Sequence, residues 1–362
     1  MKNTNTNTRK QNKQELAPKA NQIKLGIDIH ADSYRVVRQL DNATPQPAQK
    51  FTPAAFLEWA AKQLTLADTV YSCYEAGAFG YGLHRKLAEL GVKNFVVQPQ
   101  KLDELNKGVK TDKTDALALT LRLDRYVNGN QHALAVVRVP SLQEEEARAI
   151  SRHREQLCRH RQRLEQQGRS LLLYNGLRSD GRWWKPLFWK RLLPKLSPTL
   201  CSLLTVTRDL VLAINQQVDA ATLRVQQAAK PQPVGFGALT SEVLRREIGD
   251  WNRFQNRRQV ASMTGMCPRV YASGNTLRQG NISKHGNPRL RAALVEMAWR
   301  VIRWQPQYPP LRKWCAVLAK KKVGGAMRKK AVVAIGRRLA IDLWRIETKR
   351  ATAEELGLLM LR

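Results

Sequence analysis

Apolar and polar residues alternate in short runs over the first third of the chain, which is the pattern of half-buried β-strands. Helical stretches separate the later runs, and one of these helices opens with Thr52-Pro53 while another is followed by Gly91. The predicted strands and helices cover residues 23–29, 33–40, 53–64, 69–74, 80–90 and 94–98. Strands that alternate with helices predict a mixed sheet, so we expect residues 22–140 to form an α/β domain.

Residues 141–229 show a different pattern, in which apolar residues recur at the three- and four-residue spacing of a helical seam. The seam positions are Ile150, Leu157, Leu164, Leu171, Leu200, Leu204, Thr207, Val211, Ile214, Val218, Ala221 and Val225. They predict a coiled-coil arm whose two helices pack antiparallel on each other or on a second chain. The tryptophans at 183–189 fall between the two runs, where a hydrophobic plug at the tip of the arm is favoured over a platform for stacking bases.

A Lys230-Pro231-Gln232-Pro233 linker follows the arm and begins a predicted C-terminal domain at residues 230–362. A Gly235-Phe236-Gly237 turn precedes a predicted helix at 238–248, which gives the domain a helix-hairpin-helix-like start. Backbone N–H groups in such a turn can hold a phosphate. The remainder of this domain is predicted to be mainly α-helical and basic.

The charge of the chain narrows the class of partner. There are 62 Lys and Arg residues against 29 Asp and Glu, which gives a formal net charge of +33. This excess is not needed for folding and costs self-repulsion, so it predicts a polyanionic partner. Because the basic residues are spread over the whole length, nucleic acid is favoured over a lipid surface. A hydrophobic fraction of 43% excludes a disordered chain.

The cysteines and the N-terminal residues indicate the cellular compartment. Five cysteines without a Cys-x-x-Cys pair argue against zinc knuckles and a disulfide framework, and fit a reducing environment. Residues 1–21 are predicted to be a disordered basic tail rather than a signal peptide, since residues 1–16 have no apolar core. No apolar run approaches the length needed to span a membrane. We therefore expect a cytoplasmic protein with no membrane partner.

Residues 110–115, with the sequence Lys-Thr-Asp-Lys-Thr-Asp, begin a helical run and carry the first candidate chemistry. Asp112 and Asp115 are three residues apart, so their carboxylates project from one helix face and repel each other unless a cation lies between them. A charged helix N-terminus, whose acids complement the macrodipole, explains this segment equally well when it is taken alone.

Two further acids bear on the choice between a charged helix N-terminus and a metal site. Asp28 lies in the first predicted strand, and Glu75 lies at the end of a later strand. Acids at neighbouring strand ends are how ribonuclease-H-like folds build a two-metal site, and carboxylate oxygens are suitable ligands for Mg²⁺. Two such ions can stabilise the attacking and leaving oxygens of a displacement at phosphorus. Either acid alone could serve a turn or a helix cap, but four acids in this order favour a metal site.

A basic segment at residues 269–291 contains a candidate nucleophile, Ser273. On spacing alone its Ser-Gly-Asn context favours an ordinary turn, and a hydroxyl needs a base or a metal to become a good nucleophile. No histidine is close to Ser273 in sequence, which leaves His285 as a more distant candidate base, and Tyr271 and Ser283 are alternative nucleophiles. The residues that we expect to contact nucleic acid are Lys110, Lys113, Arg269, Arg278, Lys284, His285, Arg289 and Arg291.

Four motifs taken together carry a family resemblance. They are Gly26-Ile27-Asp28-Ile29-His30, Tyr74-Glu75-Ala76-Gly77, the Lys-Thr-Asp-x-x-Asp-Ala sequence at 110–116, and residues 254–291 with Ser273-Gly274. From about Lys24 to the C-terminal helices the chain resembles transposases of the insertion sequence 110/1111 group. The resemblance implies a RuvC-like, ribonuclease-H-like first domain, a coiled-coil spacer and a mainly α-helical C-terminal transposase domain.

The resemblance also implies a mechanism and a set of partners. The acidic tetrad that it implies for binding Mg²⁺, with two ions per site, is Asp28, Glu75, Asp112 and Asp115. Ser273 matches the serine that attacks the phosphodiester and becomes covalently linked to DNA. A structured guide RNA from the element's own non-coding end is implied to pair with donor and target DNA, and the protein is implied to assemble as homodimers and homotetramers.

Three other functions stay open on the residues alone. A RuvC-like nuclease would use water as its nucleophile and form no protein–DNA adduct. A non-catalytic nucleic-acid-binding protein would have inert acids. An actin-like ATPase could also open with Gly26-Ile27-Asp28, but the sequence has no second glycine-rich phosphate loop, which disfavours this class.

Overall fold

A computed structural model describes residues 19–99, 112–179, 182–230, 232–274, 276–319 and 325–360, with only the backbone of Asp112 and Lys113. The chain divides into two compact units, Met1–Val139 and Pro140–Arg362. In the ranges that the structure covers, no helix is long and apolar enough to traverse a lipid bilayer.

The described part of the first unit is built on a mixed five-stranded sheet with the strand order β3-β2-β1-β4-β5. The strands are β1 (Ala20–Ile29), β2 (Tyr34–Leu40), β3 (Gln49–Phe51), β4 (Ala67–Glu75) and β5 (Lys93–Val97). β2 runs antiparallel to β1 and β3, whereas β4 runs parallel to β1 and β5. The predicted mixed sheet is confirmed. The three-residue β3 was not predicted, because it is too short to show alternation.

Three described helices cover the two faces of this sheet: α1 (Pro53–Leu66), α2 (Gly82–Leu90) and α3 (Asp112–Val127). The hydroxyl of Thr52 caps α1 by accepting a hydrogen bond from the amide of Ala55, and Gly91 ends α2 with a φ of +98°. Helices α1 and α2 share a core with the side chains of β1 at 23, 25 and 27. Helix α3 packs on the opposite face, where Leu119 and Leu123 contact Cys73 of β4.

Two long helices begin the second unit, α4 (Leu142–Tyr174) and α6 (Pro198–Gln226), with the short α5 (Pro186–Leu192) between them. They pack antiparallel: Arg154 Nε donates to Thr222 Oγ1 at 2.7 Å, and Arg161 Nη1 donates to Asn215 Oδ1 at 2.6 Å. Six of the predicted seam positions are the buried residues of α6: Leu200, Leu204, Thr207, Val211, Val218 and Val225. Supercoiling of the pair into a coiled coil stays a prediction.

The rest of the second unit is mainly helical, with one described β-hairpin. Its elements are α7 (Ala238–Ile248), α8 (Arg257–Thr264), β6 (Pro268–Ser273), β7 (Thr276–Ile282), α9 (Pro288–Trp304), α10 (Cys315–Ala319) and α11 (Gly325–Glu347). Their core is formed chiefly by α7, α9 and α11. The hairpin was not predicted, because its residues are exposed on both faces and show no alternation. The division of this unit at residue 230 stays a prediction.

Candidate nucleic-acid cleavage site

Asp28 lies near the carboxyl end of β1 and points away from the core under α1 and α2. Ile27, its neighbour, is buried in that core, and successive strand residues face opposite sides of a sheet. The carboxylate Oδ2 of Asp28 lies 3.1 Å from Nε2 of His30, within hydrogen-bond distance. The Asp28 side chain is 23% exposed, so it is accessible to a ligand and yet partly desolvated.

Glu75 is the last residue of β4 and lies beside Asp28. In the parallel register Ile27 pairs with Tyr74, so Asp28 and Glu75 occupy the next position on the two strands. Tyr74 belongs to the same core as Ile27, which places Glu75 on the opposite face together with Asp28. Burial, and then the Glu75 carboxylate, raise the pKa of the Cys73 thiol. Adjacent strands are about 4.8 Å apart, so two acids adjoin at one end of the sheet.

Helix α3 runs antiparallel to β1 across this face. Lys24 Nζ donates to the Asp124 carboxylate, and two residues along β1 the Gly26 amide donates to Thr120 Oγ1 at 3.1 Å. Two strand residues advance about 6.6 Å, and four helix residues advance about 6 Å. The next step along β1, residue 28, is therefore level with the first turn of α3.

The same spacing relates β4 to α3. The Cys73 thiol donates to the backbone carbonyl of Leu119 at 3.5 Å. Glu75 is two strand residues further on, and Asp115 is four helix residues earlier. The first turn of α3, which contains positions 112 and 115, thus lies at the end of the sheet where β1 and β4 carry their acids.

The suitability of this end of the sheet for a metal ion depends on donor chemistry. Carboxylates that are partly exposed are hard oxygen ligands of the kind that Mg²⁺ binds, and Asp28, Glu75 and Asp115 are all partly exposed. Among the side chains that the structure describes, however, no three His, Cys, Asp or Glu residues are grouped closely enough to hold a metal. The side chain of Asp112 is not among those described. The donor type fits Mg²⁺, while a complete set of ligands is not observed.

Ser273 lies at the end of β6, at the tip of the β6–β7 hairpin. It pairs in register with Thr276, whose hydroxyl donates to the Ser273 carbonyl at 2.6 Å, and Gly274 follows with a φ of +52°. The Ser273 side chain is exposed. A left-handed residue at this point favours glycine and turns the chain immediately after the serine, so the hydroxyl is presented to solvent.

The alternative nucleophiles differ in position. Tyr271 is 59% exposed and pairs with Arg278, and strand alternation puts Tyr271 on the same hairpin face as Ser273. Ser283 lies at the base of the hairpin, where its amide donates to the Cys267 carbonyl. Ser273 therefore has a cation, Arg278, on its own face of the hairpin, two positions from the tip.

The predicted nucleic-acid contacts fall into three groups. Arg269, Arg278, Lys284 and His285 are exposed on or directly after the hairpin. Arg289 and Arg291 instead make internal contacts: Arg289 forms an ion pair with Glu155 of α4, and Arg291 donates to the Thr264 carbonyl at 3.1 Å. Lys110 lies outside the described residues, and for Lys113 only the backbone is described.

Three residues that position the acids were missed in the sequence. Lys24 and Thr120 fix α3 on the sheet, and His30 contacts Asp28. Lys24 had one available signal, since a lysine within an apolar strand run requires a buried partner. His30 stands in the first motif, but its contact depends on the turn after β1.

Two segments of the chain match families of known proteins. Residues 25–174 match the DEDD transposase domain of IS110 elements, and residues 233–311 match the transposase IS116/IS110/IS902 family. A putative transposase of Sinorhizobium fredii is 32% identical over 75% of this chain and 75% of its own length. The transposases of insertion sequence elements IS1111A of Coxiella burnetii and IS1533 of Leptospira borgpetersenii are each 25% identical over more than three quarters of both chains. The chain therefore belongs to the IS110/IS1111 family of insertion-sequence transposases.

Proposed function

We propose that this transposase cleaves and exchanges DNA strands in a Mg²⁺-dependent reaction that proceeds through a covalent bond between Ser273 and DNA. The observation that carries the proposal is the position of Asp28 and Glu75 on adjoining strand ends, level with the first turn of α3. Two acids on neighbouring strands and two on one helical turn form a donor set suited to phosphoryl transfer.

In this proposal two Mg²⁺ ions would be held by the four acids, which are Asp28, Glu75, Asp112 and Asp115. When bound, the metal would supply Lewis-acid stabilisation of the charge that develops on the phosphate. His30, at hydrogen-bond distance from Asp28, orients that carboxylate.

The proposed covalent step balances without an external energy source. The Oγ of Ser273 attacks phosphorus, one P–O bond to the sugar breaks, and the hydroxyl proton leaves as the sugar oxygen is protonated. A phosphodiester is exchanged for a phosphoserine ester, so a hydroxyl of a second strand can reverse the reaction and complete strand exchange. Arg278, on the face of the hairpin that carries Ser273, would attract the phosphate.

The proposed partners are donor DNA, target DNA and a structured RNA encoded by the element, which supplies sequence choice by base pairing. The net charge of +33 supports partners of this size and sign. Assembly as homodimers or homotetramers is part of the proposal. Sequencing the RNA that co-purifies with the full chain tests the RNA partner. Light scattering of the complex tests the oligomeric state.

The serine is tested by trapping the adduct. The wild-type protein, incubated with its co-purified RNA, Mg²⁺ and labelled DNA that spans the element's ends, should give a protein–DNA species that resists denaturant. Ser273→Ala should lose this species, whereas Ser283→Ala and Tyr271→Phe should retain it. An adduct in Ser273→Ala would overturn the assignment, and DNA cleavage without an adduct in the wild type would favour a nuclease that uses water.

The acids are tested by metal binding as well as by activity. Asp28→Asn, Glu75→Gln, Asp112→Asn and Asp115→Asn should each weaken Mn²⁺ binding measured by calorimetry and abolish strand exchange. Asp32→Asn is a matched control, since Asp32 is exposed in the turn after β1. If all four variants bound Mn²⁺ as the wild type does, the proposed metal site would be wrong.

A further inference from the structure

The two faces of the β6–β7 hairpin differ in chemistry. Ser273 pairs with Thr276 and the preceding residue, Ala272, pairs with Leu277, so these two pairs face opposite sides of the hairpin. The side chains of the polar face are Tyr271, Ser273, Thr276 and Arg278. The opposite face is chiefly apolar, and we call it the apolar hairpin face; its side chains are Val270, Ala272, Leu277 and Gln279.

The apolar hairpin face is open to solvent. Val270 is 56% exposed and Leu277 is 70% exposed, more than any other leucine that the structure describes. A two-stranded hairpin whose apolar face has no covering layer is marginally stable in water, and a cluster of exposed apolar side chains marks an interaction site. The apolar hairpin face therefore requires a partner.

The charge around the hairpin selects a nucleic acid as that partner. The sequence has no acidic residue between Asp250 and Glu296, while Arg269, Arg278 and Lys284 are exposed on or directly after the hairpin. This charge attracts phosphates and repels a second copy of a chain whose net charge is +33. Within a nucleic acid, apolar side chains are suited to the flat faces of bases that have been unstacked.

The base of the hairpin is firmly anchored, so the hairpin can resist the force with which bases stack. The Ser283 amide donates to the Cys267 carbonyl at 2.7 Å, and the Lys284 amide donates to the Gly265 carbonyl at 3.0 Å. A Cβ at Gly286 would lie 2.7 Å from the Gly265 nitrogen. The two strands therefore leave the helical core through a tightly packed junction.

Leu277 is close to the proposed nucleophile. Opposite Cα atoms of an antiparallel pair are about 5 Å apart, and a strand advances about 3.4 Å per residue. Leu277 is one position beyond the partner of Ser273, so their Cα atoms are about 6 Å apart by this geometry. Phosphates of one stacked DNA strand are spaced about 3.4 Å along the axis, which puts Leu277 within about two base steps of the phosphate that Ser273 would attack.

We propose that the hairpin opens the DNA duplex at the cleavage step. The polar face contacts the backbone of the cleaved strand, and Leu277 inserts into the base step and covers the face of an unstacked base. Opening serves strand exchange, because a cut strand must leave its complement before it is joined to another. The proposal rests on the attack by Ser273 only for the place at which the duplex opens.

The first test compares paired with pre-opened DNA in the adduct assay, using the full chain, its co-purified RNA and Mg²⁺. The pre-opened substrate carries mismatches at the step that the wild-type adduct identifies. Leu277→Ala should form the adduct about tenfold more slowly than the wild type on paired DNA and within about twofold of it on mismatched DNA. Leu277→Met, which keeps a long apolar side chain, should restore the rate on paired DNA.

A matched control is Leu223→Ala, at a leucine of α6 that is 62% exposed. It should stay within about twofold of the wild type on both substrates. Leu277→Ala should keep the wild-type melting temperature, because Leu277 is outside the core of the second unit. Equal slowing of Leu277→Ala on paired and mismatched DNA would overturn the proposal, since the side chain would then act on binding or folding and not on opening.

The second test observes opening without cleavage. The Ser273→Ala protein is bound to DNA in which 2-aminopurine replaces each base of the element's ends in turn, since this base becomes brighter when it is unstacked. One position should brighten several-fold, and the double variant Ser273→Ala, Leu277→Ala should lose the signal. If no position brightens, the proposal is wrong even where Ser273 forms its adduct, and brightening without an adduct in the wild type would overturn the serine alone.

A protein partner for the apolar hairpin face gives a different result. Leu277→Ala would then change the oligomeric state measured by light scattering and leave the 2-aminopurine signal intact, which would overturn the proposal. If Leu277→Ala fails to fold, the signal of the Ser273→Ala protein and the rate of Leu277→Met still decide.

Discussion

The backbone amide of Gly26 donates a hydrogen bond to the hydroxyl of Thr120, and the two atoms are 3.1 Å apart. The close approach of β1 and α3 depends on the missing side chain. A Cβ at residue 26 would lie 2.3 Å from both the Ala116 carbonyl oxygen and Thr120 Oγ1. Asp28 is two residues further along the same strand. The Gly26–Thr120 contact therefore determines that Asp28 lies beside the first turn of α3.

Gly26→Ala should therefore move α3 away from the sheet. We expect a loss of about 1–3 kcal/mol in the free energy of unfolding, which is the usual cost of an overpacked core. Mn²⁺ binding should weaken as well, since the acids of β1 and α3 would no longer be held at one level. Urea denaturation and calorimetry of the full chain measure the two effects.

Gly82→Ala is the matched control for this substitution. A Cβ at residue 82 meets no atom within 4 Å, and the residue lies in the first turn of α2. Its stability should stay the same or rise by up to about 1 kcal/mol. Equal stability of the two variants would show that α3 does not pack as tightly on Gly26 as described.

Lys24 is the one lysine among the buried charged residues of the described structure. Its ammonium group donates to the Asp124 carboxylate and to the Asp41 carbonyl, and its side chain is 1% exposed. Asp124→Ala should destabilise the protein by about 3 kcal/mol, because it leaves a buried charge without its partner. Urea denaturation at pH 7 checks this value.

The Lys19–Asp68 pair provides the comparison. Its two side chains are 52% and 66% exposed, with 2.9 Å between Lys19 Nζ and Asp68 Oδ1. Asp68→Ala should change the free energy of unfolding by less than about 1 kcal/mol, as expected for a solvated pair. A loss at Asp124 no greater than the loss at Asp68 would contradict the buried pairing.

Glu247 predicts a dependence of stability on pH. Its side chain is fully buried in α7 and accepts two hydrogen bonds from Arg152 at 2.9 Å and one from Asn287 at 2.7 Å. Burial by itself would raise the pKa of Glu247, but the hydrogen bonds from Arg152 and Asn287 outweigh it, and the pKa lies below its usual value. A carboxylate whose folded pKa is lowered stabilises the fold above the unfolded pKa of about 4.3.

Glu247→Gln should thus cost about 2 kcal/mol at pH 7, and the difference from the wild type should shrink as the pH falls below about 4.3 and through the lowered folded pKa. Urea denaturation at a series of pH values measures the difference. Glu296→Gln, at an exposed pair with Arg300, should give a small effect at every pH. A Glu247→Gln effect that did not change with pH would exclude the ionised carboxylate as its source.

The sequence predicts the sheet and the site only where local patterns decide them. Apolar and β-rich runs predict β1, β2, β4 and β5, and the same runs place Asp28 in the first strand and Glu75 at the end of a later strand. Which strands adjoin is fixed by long-range pairing, so the position of Glu75 beside Asp28 needed the structure. The hairpin of Ser273 was missed because exposed strands carry no alternating pattern.

The contacts that individual basic side chains make could not be predicted from the sequence either. Arg289 and Arg291 lie in the same basic segment as Arg278, yet they contact Glu155 and the Thr264 carbonyl. A guanidinium side chain serves an internal carboxylate or an external phosphate equally well. Only the packing of α9 against α4 and α8 distinguishes the two uses.

The tryptophans between α4 and α6 allow a test of two opposed interpretations. Trp183 is fully buried, its indole N–H donates to the Glu165 carbonyl at 3.0 Å, and Gly168 leaves room for the ring. A hydrophobic plug with these contacts predicts that Trp183→Ala costs about 3–5 kcal/mol and lowers the melting temperature. Tyr174→Ala, at a 91% exposed aromatic that ends α4, should leave stability nearly unchanged. If Trp183 were instead part of a platform for bases, Trp183→Ala would lower the affinity for single-stranded RNA and leave stability unchanged. Thermal melting and anisotropy on the two variants therefore separate the interpretations, and burial of Trp183 favours the loss of stability.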